Sequence, residues 1–331
     1  MVTRKAIRLA LSVAALACAT SGTVDARTPK QVYRIGFILT AAPSSVEHLT
    51  KAFEAGLRDL GYVEGRNVVF ERRWAEGRPE RLPGLAADLV KKDVDVILSG
   101  ANPVVAALKS VTTTIPIVMV TSMDPVGSGF IASLARPGGN ITGMTADPTP
   151  EIHGKRLQLL KELVPKAARV AVLWNPLSPG ANDQRKDLEQ AARKLGLTLL
   201  LVEARGRDEF ADAFAAMARG GADSLMELSD PLFFTNRKQV VELITKHRLP
   251  AIHARSEAVE IGSLMSYGAS LADQFRRAAV YVDKIIKGAK PGDIPVEQGA
   301  KFDLVINQNA ARQLGLAIPM SLRHQADQII E

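Results

Sequence analysis

Residues 124–143 read DPVGSGFIASLARPGGNITG. Gly127, Gly129, Gly138, Gly139 and Gly143 are interleaved with Pro125 and Pro137, a composition that no continuous helix or strand tolerates. Apolar, strand-like sequence nevertheless flanks the stretch, with Ile115 to Val120 before it and Gly143-Met144-Thr145 at its end. Irregular backbone set between buried strands marks a connection between lobes or a loop against a ligand.

On either side of this passage the same pattern recurs. Before it, short apolar runs begin near residues 34, 67, 94 and 115, of the kind buried on both faces of a parallel sheet. Helical stripes separate them: Val46, Leu49, Phe53, Leu57 and Leu60, closed by Gly61; then Leu82, Leu85 and Leu89; then a helix opened by Asn102-Pro103. Ser44 with Glu47 reads as a capping box for the first of these. After the passage, strands are expected near residues 170, 198, 223 and 250, with helices over 152–163, 188–195, 210–217 and 240–244. Two similar runs of four βα units predict an α/β fold of two Rossmann-like lobes. The remaining chain holds a strand at Ser263 to Gly268, a long amphipathic helix at Leu271 to Ile286 and a strand at Phe302 to Asn307. A tail this short packs back onto the lobes and gives more than one crossing between them. The expected lobes are residues 32–143 with about 268–301, and residues 144–267 with about 302–331. Within the passage, Phe130 to Ala135 reads as a short helix, and Pro137-Gly138-Gly139 as a turn into a hinge strand at Asn140 to Met144.

The 331 residues allow two domains. Hydrophobic residues make up 47% and charged residues 23%, the balance of a soluble globular protein. The formal charge is +7, or +5 without residues 1–26, and the basic residues are scattered among few aromatics, which argues against a nucleic-acid surface. Arg4, Lys5 and Arg8, the apolar run Leu9 to Ala19 and the small residues of Val24-Asp25-Ala26 read as a secretory signal cleaved after Ala26. Ala15-Leu16-Ala17-Cys18 approaches a lipoprotein box but has Ala where Leu is usual, so lipidation at Cys18, the only cysteine, is the lesser reading. A periplasmic chain without cysteine is the expectation.

In open α/β sheets, ligands sit beyond the carboxyl ends of the strands. Here those ends are polar. Thr40, Ser99, Ala101, Asn102, Thr121 and Asp124 follow strands of the first half; Asn175, Ser178, Asp230, Ser256 and Tyr267 follow or end strands of the second. Hydroxyls, amides and helix N-termini suit a small polar or zwitterionic ligand. The same residue types serve as caps and turn formers, and for any one of them the two roles weigh equally. Asp124 and Asp230, each in an Asp-Pro pair, either meet a ligand ammonium or start a turn. Phe233, Phe234, Trp174 and Tyr267 offer an apolar wall, although Trp174, inside a strand, fits the core better. No P-loop, G-x-G-x-x-G or G-x-S-x-G is present, and the five histidines show no metal-ligand spacing. We therefore expect no catalysis, cofactor or metal; His253 ends a strand and reaches toward the cleft.

Several linked segments resemble the ABC-transporter substrate-binding family that includes tryptophan/tyrosine-binding proteins. They are Asp124-Pro125-Val126, Ser133 to Gly143, Arg169 to Pro176, Leu249 to Ile252, Leu264 to Gly268 and Lys301 to Asn307. The likeness spans about residues 32–331. It implies a type I periplasmic-binding fold: two Rossmann-like lobes, a three-stranded hinge and a solute, such as an amino acid or aromatic acid, clamped between them for delivery to an inner-membrane permease by a monomeric receptor. The weak lipobox departs from the lipid-anchored members. A LacI-type regulator core shares this fold, but residues 1–32 hold a leader and no helix-turn-helix. A two-lobed enzyme acting on a nucleotide sugar and a sensory subunit are the other readings.

Overall fold

The computed structural model describes residues 32–145, 151–178, 181–298 and 302–331. The expected leader, with Cys18 and the cleavage point at Ala26, lies outside the described residues. The first run of elements is β1 (Tyr33–Leu39), α1 (Glu47–Asp59), β2 (Val68–Trp74), α2 (Leu82–Val90), β3 (Val96–Ser99), α3 (Asn102–Val111), β4 (Ile117–Ser122) and β5 (Ile141–Thr145). They form a five-stranded sheet of order β2-β1-β3-β4-β5, with every pairing parallel.

The second run is α4 (Glu151–Leu163), β6 (Arg169–Trp174), α5 (Ala181–Leu195), β7 (Thr198–Glu203), α6 (Phe210–Arg219), β8 (Ser224–Glu227), α7 (Pro231–Thr235), α8 (Arg237–His247), β9 (Ala251–His253), α9 (Glu257–Glu260) and β10 (Met265–Gly268). The chain then makes α10 (Leu271–Ile286), β11 (Asp303–Asn307), α11 (Gln308–Gln313), α12 (Met320–Gln325) and β12 (Gln328–Ile330). The second sheet has seven strands in the order β7-β6-β8-β9-β10-β11-β12, with β10 and β11 antiparallel and the other neighbours parallel. From their outer edges the sheets repeat one topology, 2-1-3-4-5, which places a switch point between β1 and β3 and another between β6 and β8. The fold is α/β with two Rossmann-like lobes and a multi-stranded hinge.

Both faces of each sheet are covered, which is why the strands read as continuous apolar runs. Successive residues point to opposite layers. Phe37 packs with Phe53, Phe275 and Tyr281 of α1 and α10, while Ile38 packs with Leu89, Val104 and Leu108 of α2 and α3. In the second lobe Val170 and Val172 face α4 and α5, and Ala171 and Leu173 face α6 and α8. Each fully buried Leu, Ile or Phe contributes roughly 1.5–3 kcal/mol. Helix α10 follows second-lobe strands but packs on α1, so closely that a Cβ on Gly56 would stand 2.3 Å from the Arg276 carbonyl oxygen.

Two local expectations fail. Ser44 does not cap α1. Pro43 opens a single 3₁₀ turn over Pro43–Ser45, so Glu47 becomes the first helical residue instead of the third. Residues 130–135 form no helix, because their N–H groups are drawn to other partners. Phe130 donates to the Pro125 carbonyl, Ala132 to that of Pro137, and Ser133 Oγ takes the Arg136 N–H at 3.0 Å. Ile131 is buried against the α2–α3 layer.

The rest of the passage is pinned by the returning segment 291–297. Gly138 donates to the Gly292 carbonyl, Val296 to that of Leu134, and Thr142 Oγ1 to that of Ile294 at 2.7 Å. Strand β5 then pairs with Glu297, whose N–H donates to Gly143 O at 3.0 Å while its carbonyl accepts from Thr145 N at 2.9 Å. Gly143 has φ +132°, and a Cβ there would lie 1.9 Å from Met119 O. Gly143→Ala adds backbone strain and overpacking, each worth roughly 1–3 kcal/mol, so it should lower stability by at least about 2 kcal/mol in thermal or urea unfolding. An unchanged unfolding midpoint would show that β5 relaxes away from β4 freely.

Candidate functional site

The carboxyl ends of the two sheets face each other across a cleft with about 850 Å³ of empty space, partly open to solvent. From the first sheet, the segments after β1, β3 and β4 bring Thr40, Ala41, Gly100, Ala101, Thr121 and Met123 to its wall. From the second, the segments after β8 and β9 bring Ser229, Asp230, Ala254 and Arg255, with Glu227 and His253 at the strand ends. Leu39, Val46, Leu49, Phe234, Leu271 and Phe275 make the apolar part of the lining. Most of that lining is therefore hydrocarbon, with a few polar groups set into it.

Asp230, Glu227 and His253 are held by partners within the second lobe. Asp230 is 8% exposed and caps α7: its Oδ1 accepts from Leu232 N at 2.7 Å and from Asn175 Nδ2 at 3.4 Å. Burial pushes the Asp230 carboxyl above its ordinary value, and Glu227 adds to that; hydrogen bonds from Ser178, Leu232 N–H and Asn175 oppose the shift without cancelling it. Buried His253 joins two partners: Nε2 is hydrogen-bonded to Ser263 Oγ at 2.7 Å, and Glu227 Oε2 lies 3.3 Å from Nδ1. Arg255 Nη1 donates to Ala269 O at 2.9 Å, in the link between β10 and α10.

The lobes touch at the cleft rim. Arg237, in the first turn of α8, reaches across to donate from Nη2 to Ser45 O at 2.9 Å. His48 Nε2 of α1 lies 3.3 Å from Glu257 Oε1 at the start of α9. Burial raises the Glu257 carboxyl, but the His48 hydrogen bond, its own backbone N–H and the charge of Arg255 outweigh this and leave it below the ordinary range.

Of the residues singled out in the sequence, Thr40, Ala101, Thr121 and Asp230 line the cleft, and Asn175 and Ser178 stand behind Asp230 as its hydrogen-bond donors. Asn102 is turned to the β4 end: its side chain accepts from Ser122 Oγ and Met123 N, each at 2.8 Å, and donates to Met123 O. Ser99 is fully buried, with its hydroxyl toward Val118 O at 3.5 Å. Asp124 is exposed at φ +38° and accepts from Gly127 N at 2.9 Å, which closes a turn. Ser256 bonds Glu260 Oε1 in a neighbouring cavity behind the His48–Glu257 contact. Tyr267 packs on Phe302, ring centroids 5.7 Å apart, and its carbonyl accepts from Arg156 Nε. Phe234 walls the cleft, whereas Phe233 and Trp174 are buried in the second-lobe core. Arg237, Arg255 and Met123 went unnoticed in the sequence, since no motif separates them from ordinary surface residues.

The profile of the ABC transporter substrate binding protein family matches residues 36–330. The chain belongs to this family. It is 26% identical over 287 residues to the tyrosine-binding protein of Clostridioides difficile, covering 87% of this chain and 82% of that one. Among solved structures, a conserved domain protein from Vibrio cholerae superposes with TM-score 0.84 at 29% identity, over 90% of this chain and 99% of the other. An ABC domain from Streptococcus pneumonia in complex with L-Trp also gives TM-score 0.84, at 26% identity, over 90% and 100% of the two chains. The type I periplasmic-binding architecture of this substrate-binding protein accounts for the cleft between the strand ends.

Asp230 titrates higher in the folded protein than its ordinary 3.8, so ionising it costs stability as pH rises through that window and above it. Asparagine keeps the α7 cap and removes the buried charge. Asp230→Asn should therefore melt no lower than wild type at pH 7, and the advantage should shrink as pH falls toward 3. Melting curves across pH 3–7 check this; a variant that melts several degrees lower at pH 7 would mean that the ionised carboxylate is itself stabilising.

Proposed function

We propose that this protein is the extracytoplasmic receptor of an ABC importer. It takes a small amphipathic solute of the amino-acid or aromatic-acid class between its lobes, closes on it by hinge bending and delivers it to an inner-membrane permease. Residues 32–143 with about 268–301 move as one lobe, and residues 144–267 with about 302–331 as the other. The leader is removed after Ala26, and the mature protein works as a freely diffusing monomer.

One observation carries the reading. A largely apolar wall of Leu39, Val46, Leu49, Phe234, Leu271 and Phe275 is set with groups of both signs, Glu227 and Asp230 against Arg237 and Arg255. A solute with an apolar body and a zwitterionic head answers each of these, while a sugar would leave the wall unmatched. The tyrosine and L-Trp named for two relatives belong to that class. Contacts across the cleft, Arg237 to Ser45 and His48 to Glu257, stabilise a closed arrangement, and a solute that touches both walls adds the differential affinity that favours it. The enzyme reading has one feature in its favour, the Ser263–His253–Glu227 relay with triad-like distances. Ser263 is not among the residues that line the cleft, so its hydroxyl faces no solute there, and the contact serves to hold the imidazole.

A thermal-shift screen across amino acids, aromatic acids, nucleosides and sugars tests the function. A cognate solute at a hundredfold its Kd should add about 2.7 kcal/mol and be recovered unchanged by mass spectrometry. Phe234→Ala should weaken it about tenfold, equivalent to about 1.4 kcal/mol. Stabilisation by sugars or nucleosides alone would overturn the solute class; chemical conversion of the solute would overturn the receptor.

A further inference from the structure

The guanidinium of Arg237 has donors committed in two directions. Nη1 donates to Phe234 O at 3.0 Å within its own lobe, and Nη2 donates to Ser45 O at 2.9 Å across the cleft. The group lies over the Phe234 ring, 4.8 Å from its centroid. Its Nε is buried from solvent, faces no hydrogen-bond acceptor among the described residues, and belongs to a side chain that lines the cleft. A guanidinium stays charged at any physiological pH, and a buried charged donor left without an acceptor is costly.

We propose that Arg237 is the specificity-determining residue of the cleft: its Nε–H takes a carboxylate oxygen of the solute while its Nη2 ties the opposite lobe. The assignment rests on the solute-receptor reading above and deepens it. Glu227 and Asp230 bear the same charge as a carboxylate and repel it, so they receive the cationic end. Phe234, stacked on the guanidinium, holds the fork in plane and presents an apolar face beside the bound head. Recognition of the acidic head and lobe closure then share one side chain. An analogue without the carboxylate satisfies the apolar wall but leaves Nε–H without an anion, which disfavours the closed arrangement.

The test compares L-tryptophan and L-tyrosine with their decarboxylated amines, tryptamine and tyramine, by titration calorimetry on wild type, Arg237→Gln and Arg237→Lys. Wild type is expected to prefer each acid to its amine. Arg237→Gln should lose about 10- to 100-fold in affinity for the acids and at least about threefold less than that for the amines, which lose only the lobe tie, with Arg237→Lys in between because it keeps the charge and loses the fork. Equal losses for acid and amine would reduce Arg237 to a lobe tie and overturn the assignment, as would an unchanged preference in the Gln variant. If Arg237→Gln does not fold, the same comparison is read from Arg237→Lys. Binding of the amines without preference for the acids by wild type would sink the Arg237 assignment alone; binding of none of the four probes would sink the amino-acid reading beneath it.

Discussion

The arrangement depends on the passages between the lobes being bonded to one another. Glu297 pairs with β5 through Gly143 O and Thr145 N, and α10 sends the Gln274 amide to Thr145 O at 3.0 Å. The Arg277 side chain bonds the Glu297 carboxylate. Crossings tied in this way are coupled to one another, as the hinge bending proposed above requires. The packed sheets on either side resist deformation, and the change is left to a few backbone angles at the crossing segments. Gly143, at a φ closed to other residues and against Met119, is what lets β5 approach β4 closely enough to belong to both the first sheet and the hinge.

The same ties set the cleft. Arg255, on the cleft wall, is anchored to Ala269 in the β10–α10 link, which ties the wall to a crossing segment. Leu271 and Phe275 of α10 supply apolar lining from a helix packed on the first lobe although it follows second-lobe strands in the chain. The polar groups are pre-positioned by bonds within their own lobe: Asp230 by the α7 cap and Asn175, His253 by Ser263 and Glu227. Little side-chain ordering remains to oppose association, and the cost of burying Asp230 and His253 is borne during folding.

Much of the fold was legible because each βα unit writes its own periodicity. A strand covered on both faces is apolar throughout, and its helices carry a one-sided stripe; Leu271 to Ile286 read correctly for that reason. Where local and distant partners compete, the reading failed. Ser133 and the carbonyls of Pro125 and Pro137 outbid the helix at residues 130–135, and Pro43 displaced the expected cap. At the cleft, adjacent strand-end side chains diverge. Ala101 reaches the wall, while Ser99 turns into the sheet and Asn102 is consumed by the β4 end. Arg237 and Arg255 carry no local mark at all, since a basic residue in a helix or after a strand is ordinary.

The sequence by itself determined the two repeated α/β halves, the irregular passage between them and the polar character of the strand ends, because periodicity, glycine and proline act over a few residues. Only the tertiary structure decided that segment 291–297 clamps the passage, that α10 returns to the first lobe, and which strand-end groups share one cleft. Those outcomes join residues far apart in the chain, as Arg237 joins Ser45 and Glu257 joins His48, and they follow from packing that no local window contains.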